Sequence, residues 1–126
     1  MTGKVVHFEI PADNMERAQK FYKDTFQWTI NSMPEMGYAL VGGTPANSDG
    51  MLAESGSING GMLLREEPVK HPVITISVES IDETEKQIQK NGGKLIRKKM
   101  PVGDMGFASY FQDTEGNVVG LWESAK

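Results

Sequence analysis

The chain of 126 residues spells one pattern twice, and this internal repeat limits what it can fold into more than anything else in the sequence. The first copy opens with alternating Val5-Val6-His7-Phe8-Glu9-Ile10, then Pro11-Ala12-Asp13 and a helical run from Met15 to Thr25. The second opens with Val73-Ile74-Thr75-Ile76-Ser77-Val78, then Glu79-Ser80 and a helical run from Ile81 to Asn91. Superimposed, Ile10 meets Ile76, Ala12 meets Val78, and Trp28-Thr29-Ile30 meets Lys94-Leu95-Ile96. A repeat of this length is too long for a solenoid unit and suits two half-domains. Half-domains that close on each other leave a cleft, so function is expected at paired positions. The pairing is unequal there, with Val73 standing where the first copy has His7.

Side chains alternate along a strand, so Val6, Phe8 and Ile10 share one face and Val5, His7 and Glu9 the other. The apolar face is expected to meet a helix, which turns His7 and Glu9 toward a cavity or solvent. Asp13-Asn14-Met15-Glu16 reads as a capping box with Asp13 as the cap. Met15, Ala18, Phe21 or Tyr22, and Thr25 follow at helical spacing. In the second copy Ile74, Ile76 and Val78 form the expected core face, and Ser80-Ile81-Asp82-Glu83 is again a capping box. Ile81, Thr84 and Ile88 continue the stripe, and Asn91-Gly92-Gly93 stops the helix.

Three strand-like segments follow each helix. They are Trp28 to Met33, Gly37 to Val41 and Ser57 to Leu64, then Lys94 to Met100, Phe107 to Phe111 and Asn117 to Glu123. Asp113-Thr114-Glu115-Gly116-Asn117 signals a hairpin turn. Each copy reads β-α-β-β-β. The fold class expected is α+β, with two such modules (about 4–66 and 71–124) forming a curled mixed sheet around a cleft in one domain spanning 1–126. The long polar segment Gly42 to Gly56 is either a lid or a plain surface excursion.

The absence of cysteine excludes disulfides, thiolate metal sites and cysteine nucleophiles. A net charge of −4, with no basic cluster larger than Arg97-Lys98-Lys99, argues against nucleic acid as a partner. No apolar run is long enough to span a bilayer, and nothing resembles a signal peptide, so a cytoplasmic protein is expected. Open sheet edges on two short modules point to a homodimer.

Several stretches carry a family resemblance: Val6-His7-Phe8-Glu9-Ile10-Pro11-Ala12-Asp13, Ala18-Gln19-Lys20-Phe21-Tyr22, Phe26-Gln27-Trp28, Asn91-Gly92-Gly93-Lys94 and the closing Asp113 to Glu123. Through them almost the whole chain resembles the vicinal oxygen chelate superfamily, which includes glyoxalase I, extradiol dioxygenases, and fosfomycin- and bleomycin-resistance proteins. The resemblance implies curled modules enclosing a cleft. In metal-dependent members, first- and fourth-strand side chains ligate a divalent ion that acts as a Lewis acid. By position, it makes His7 and Glu123 the candidate metal ligands and the candidate catalytic pair. The two remaining positions fall at Val73 (or Ile74) and within Gly60-Gly61-Met62-Leu63-Leu64, none of which offers a hard ligand. Two protein ligands hold a divalent ion only weakly.

His7 has a plainer reading, as a histidine satisfied by a neighbouring carbonyl or by Glu9 or Glu123. Glu123 has one too, as a residue close to the fraying carboxyl terminus. His71 reads as linker, Glu9 as an exposed residue or a base, and Tyr38, Tyr110, Trp28 and Trp122 as core aromatics or pocket walls. Three functions stay open: a metal-assisted lyase, isomerase or oxygenase acting on a small oxygenated substrate; a metal-free small-molecule binder of the bleomycin-resistance type; and a silent interaction module.

Overall fold

The structure is a computed structural model that describes residues 2–42 and 57–125. The expected lid segment therefore lies almost entirely outside the described residues. The elements in chain order are β1 (Lys4–Ala12), α1 (Met15–Phe26), β2 (Thr29–Met33), a 3-10 turn (Pro34–Met36), β3 (Tyr38–Gly42) and β4 (Gly60–Leu64). They continue with β5 (Val73–Ser77), α2 (Ile81–Lys90), β6 (Lys94–Val102), β7 (Gly106–Gln112) and β8 (Val118–Ser124). The chain is α+β; its described residues form two helices and eight strands in mixed arrangement, and the β-α-β-β-β order read from the repeat is what each copy adopts.

The residues group into two compact units. One is His7–Pro72; the other joins the start of β1, through Val6, to Val73 and the residues after it. In the first unit the strand order is β2-β3-β4-β1, antiparallel except for the parallel β1–β4 pair. In the second it is β6-β7-β8-β5, again antiparallel except for the parallel β5–β8 pair. The same order of first, fourth, third and second strand thus recurs, as a duplicated pattern demands.

In the first unit α1 covers Ala12, Ala39, Val41 and Met62, packed with Phe8, Met15, Ala18, Tyr22, Trp28 and Ile30. Tyr22 stacks on Trp28 with ring centroids 4.8 Å apart, so Tyr22 rather than Phe21 completes the helical stripe. Phe21 is 56% exposed. The α1 cap is Asn14, not Asp13: Asn14 Oδ1 accepts from the Arg17 N–H, while Asp13 accepts from the Arg65 guanidinium at 2.9 Å. A one-residue difference between two good capping types is decided by where the chain leaves β1, which continues to Ala12. The α1 stop uses Gln27 in the left-handed region at φ 59.

In the second unit Ser80 caps α2 as expected, with its hydroxyl accepting from the Glu83 N–H. Gly92 takes φ +96 just past the helix end, where a side chain would be strained. Asp113 Oδ1 accepts from the N–H groups of Glu115 and Asn117, which builds the expected β7–β8 turn and holds its carboxyl below the usual range. Burial on β5 departs from expectation: Val73 is buried while Ile74, on the supposed core face, is 48% exposed. The reason is placement of the helix, since α2 is centred over β6, β7 and β8 rather than over β5. No described helix is long and apolar enough to cross a membrane.

Candidate functional site

Strand phase puts His7, Glu9 and Pro11 on the face of the first unit opposite α1, since Phe8 and Ala12 pack with the helix. The register carries that face across the sheet: Glu9 pairs with Gly61, Gly61 with Leu40, and Leu63 with Tyr38. Three polar side chains meet there. His7 Nε2 lies 2.9 Å from Tyr38 Oη, and the Tyr38 hydroxyl donates to Glu9 Oε2 at 3.0 Å. Tyr38 starts on β3, so its ring has to cross β4 to reach β1.

It crosses over Gly61. A Cβ at Gly61 would stand 1.7 Å from Tyr38 Oη and 2.0 Å from its Cζ. Only a residue without a side chain leaves that path open. Gly60 does the corresponding work on the helix side, where a Cβ would stand 2.6 Å from the Phe8 ring and 2.4 Å from its carbonyl oxygen. The glycine pair thus admits one aromatic ring to each face of β4.

Glu9 is only 7% exposed, so its carboxylate depends on protein donors for the hydration it gave up. The Tyr38 hydroxyl is one such donor. Burial lowers the His7 pKa from its ordinary value of 6.5, and the nearby Glu9 charge offsets this in part, leaving a neutral imidazole at pH 7. A neutral imidazole, a phenol and a buried carboxylate in one chain make a polar group suited to binding or orienting a small molecule.

Glu123 has different work. Its Oε1 accepts from the N–H of Ile81, the first residue of α2, at 2.8 Å, with Lys99 Nζ at 3.7 Å. An acidic side chain from β8 therefore satisfies a free donor at the positive end of a helix in its own unit. His71 is exposed in the segment before β5. Among the described residues no three His, Asp or Glu side chains come together in a way that would hold a metal ion. His7 and Glu123 belong to different units, and each has a protein partner of its own. The sequence offered Tyr38 only as a core aromatic or pocket wall, without its polar partners, and gave Gly61 no part in a site; the available signal was a glycine pair inside a predicted strand, which marks a close approach.

Two modules of this strand order define the class of paired β-α-β-β-β proteins. Residues 4–44 match the family model described as bleomycin resistance protein-like N-terminal. A "Glyoxylase-like domain-containing protein" from Didymella fabae is 33% identical over 121 residues, covering 91% of this chain and 89% of that protein. The chain belongs to the glyoxalase/bleomycin-resistance family. The fold agrees with solved structures of much lower identity. A Streptomyces coelicolor methylmalonyl-CoA epimerase superimposes with TM-score 0.66 at 17% identity over 100% of both chains. A glyoxalase/bleomycin resistance protein/dioxygenase superfamily member from Vibrio splendidus gives TM-score 0.61 at 14% identity, over 98% of this chain and 99% of that one.

Proposed function

We propose that this protein binds a small molecule at the His7–Tyr38–Glu9 face of its first module, without a resident metal ion. The observation that carries the reading is the hydrogen-bonded chain itself, at 2.9 and 3.0 Å, on the sheet face that α1 leaves uncovered. A titratable side chain perturbed by burial beside a charged partner, as His7 is, is a candidate for a functional site. The family supports a small-molecule role, because its members include binders of the bleomycin-resistance type.

The residues do not suit the divalent ion that the superfamily resemblance implied. His7 Nε2 is engaged by Tyr38, one Glu9 oxygen by the same hydroxyl, and Glu123 Oε1 by the α2 backbone. An ion would have to break these bonds and still lack a third side chain among the described residues. In this reading Glu123 is a helix-capping residue, and His7 is the group that meets the ligand.

The test joins metal analysis of protein purified without chelator to a thermal-shift screen of small oxygenated and aromatic compounds. The expected result is metal-free protein stabilised by at least one compound, with the stabilisation lost in His7→Ala. A stoichiometric divalent ion, lost in both His7→Ala and Glu123→Ala, would overturn this reading and support the metal-assisted enzyme in its place.

A further inference from the structure

We infer that Tyr38 and Gly61 are positioning residues that hold His7 as its Nε2–H tautomer, so that the ring meets a ligand through the Nδ1 lone pair. This inference rests on the binding role proposed for the His7 face.

Proton counting carries it. The line Nε2···Oη···Oε2 contains two hydrogen bonds and so needs two protons. The Tyr38 hydroxyl has one, and it goes to Glu9 Oε2. Its oxygen then faces Nε2 at 2.9 Å as an acceptor, so Nε2 must bring the second proton. A neutral imidazole with its proton on Nε2 has none on Nδ1. Among the described residues Nδ1 has no hydrogen-bond partner. His7 is thereby fixed as an acceptor, and a ligand group meeting it has to bring hydrogen, as a hydroxyl or N–H does. The Glu9 carboxylate on the same strand face adds negative charge, which disfavours a carboxylate or phosphate at that point. Gly61 acts at one remove: without the empty space above it, the Tyr38 hydroxyl does not reach β1.

The tautomer is read by nitrogen-resolved NMR of the imidazole rings in the ligand-free full chain, above the pH at which the rings are charged. The chain has two histidines, so His71→Gln assigns the spectrum. The expected wild-type result is a single His7 tautomer with a directly observed Nε2–H. Tyr38→Phe should speed exchange of that proton about tenfold, the factor that one such hydrogen bond is worth. Gly61→Ala should do the same with the phenol chemically intact. Glu9→Gln should move the proton toward Nδ1, because the amide can donate to Oη and release the hydroxyl proton to Nε2. A wild-type ring protonated on Nδ1 overturns the inference, as does an unchanged ring spectrum in both Tyr38→Phe and Glu9→Gln. Phenol and benzoate then probe the acceptor role: phenol is expected to shift the Nδ1 resonance at lower concentration. The reverse order, or no response to either, refutes that role. Because the tautomer is measured without ligand, its failure is distinct from failure to find a binding compound.

Discussion

Tyr38→Phe is the substitution that weighs the buried polar chain most directly, since it removes one oxygen and keeps the ring that lies over Gly61. The lost oxygen serves two bonds, a donation to Glu9 at 3.0 Å and an acceptance from His7 at 2.9 Å. A hydrogen bond to a charged group contributes about 1.5–3 kcal/mol, and a neutral one about 1 kcal/mol. The first is expected near the upper part of its range because Glu9 is 7% exposed and has little access to replacement water. The second is expected to be partly recovered, because His7 is half-buried and less enclosed than Glu9. The expected loss is about 2–3 kcal/mol, read as a lower urea midpoint with unchanged slope. At this chain length it lowers the melting temperature by about 10 °C. A double-mutant cycle with Glu9→Gln should return a coupling of about 1 kcal/mol or more, because the two side chains are in contact. A loss below about 0.5 kcal/mol with no coupling would mean that water or another donor replaces Tyr38 at no cost, and the polar chain would lose its structural basis.

Lowered by burial, the His7 pKa makes the folded protein bind fewer protons than the unfolded chain just below the ordinary 6.5. The stability that neutral His7 permits is complete above that value and is lost as pH falls through the lower folded one; His7→Asn should flatten this part of the urea-midpoint profile. Glu123→Ala removes the acceptor facing the Ile81 N–H and is expected to cost about 1–2 kcal/mol, with Glu123→Gln costing less because its amide oxygen still accepts; equal midpoints for all three proteins would refute the capping role. Gly60→Ala meets the Phe8 backbone at 2.4 Å and should cost about 3 kcal/mol, measured by the same unfolding curves, whereas a neutral effect would contradict the β1–β4 register. With β2 and β6 as the outer strands of their sheets, light scattering is expected to give a homodimer mass, and a monomer would count against it.

The duplicated strand–helix pattern was enough to determine the order of strands and helix in each copy, because alternation and helical spacing are local properties that each segment carries by itself. It also placed His7 and Glu9 on the face away from α1, since strand phase follows from Phe8 being apolar and needs no knowledge of partners. Four features were decided by the tertiary structure. Tyr38 reads as a core aromatic in isolation and becomes a hydrogen-bonding group only because β3, β4 and β1 lie side by side and Gly61 leaves a path between them. Ile74 reads as core and is exposed because α2 covers β6, β7 and β8. Asp13 and Asn14 are equivalent caps on paper, and the end of β1 chooses between them. Glu123 carries no sign in the sequence of a backbone partner, and the tertiary structure sets the Ile81 N–H beside its carboxylate. Periodicity is written along the chain, but a polar side chain's partner is set by the register of strands and helices far away in sequence, and no local pattern encodes which donor will arrive.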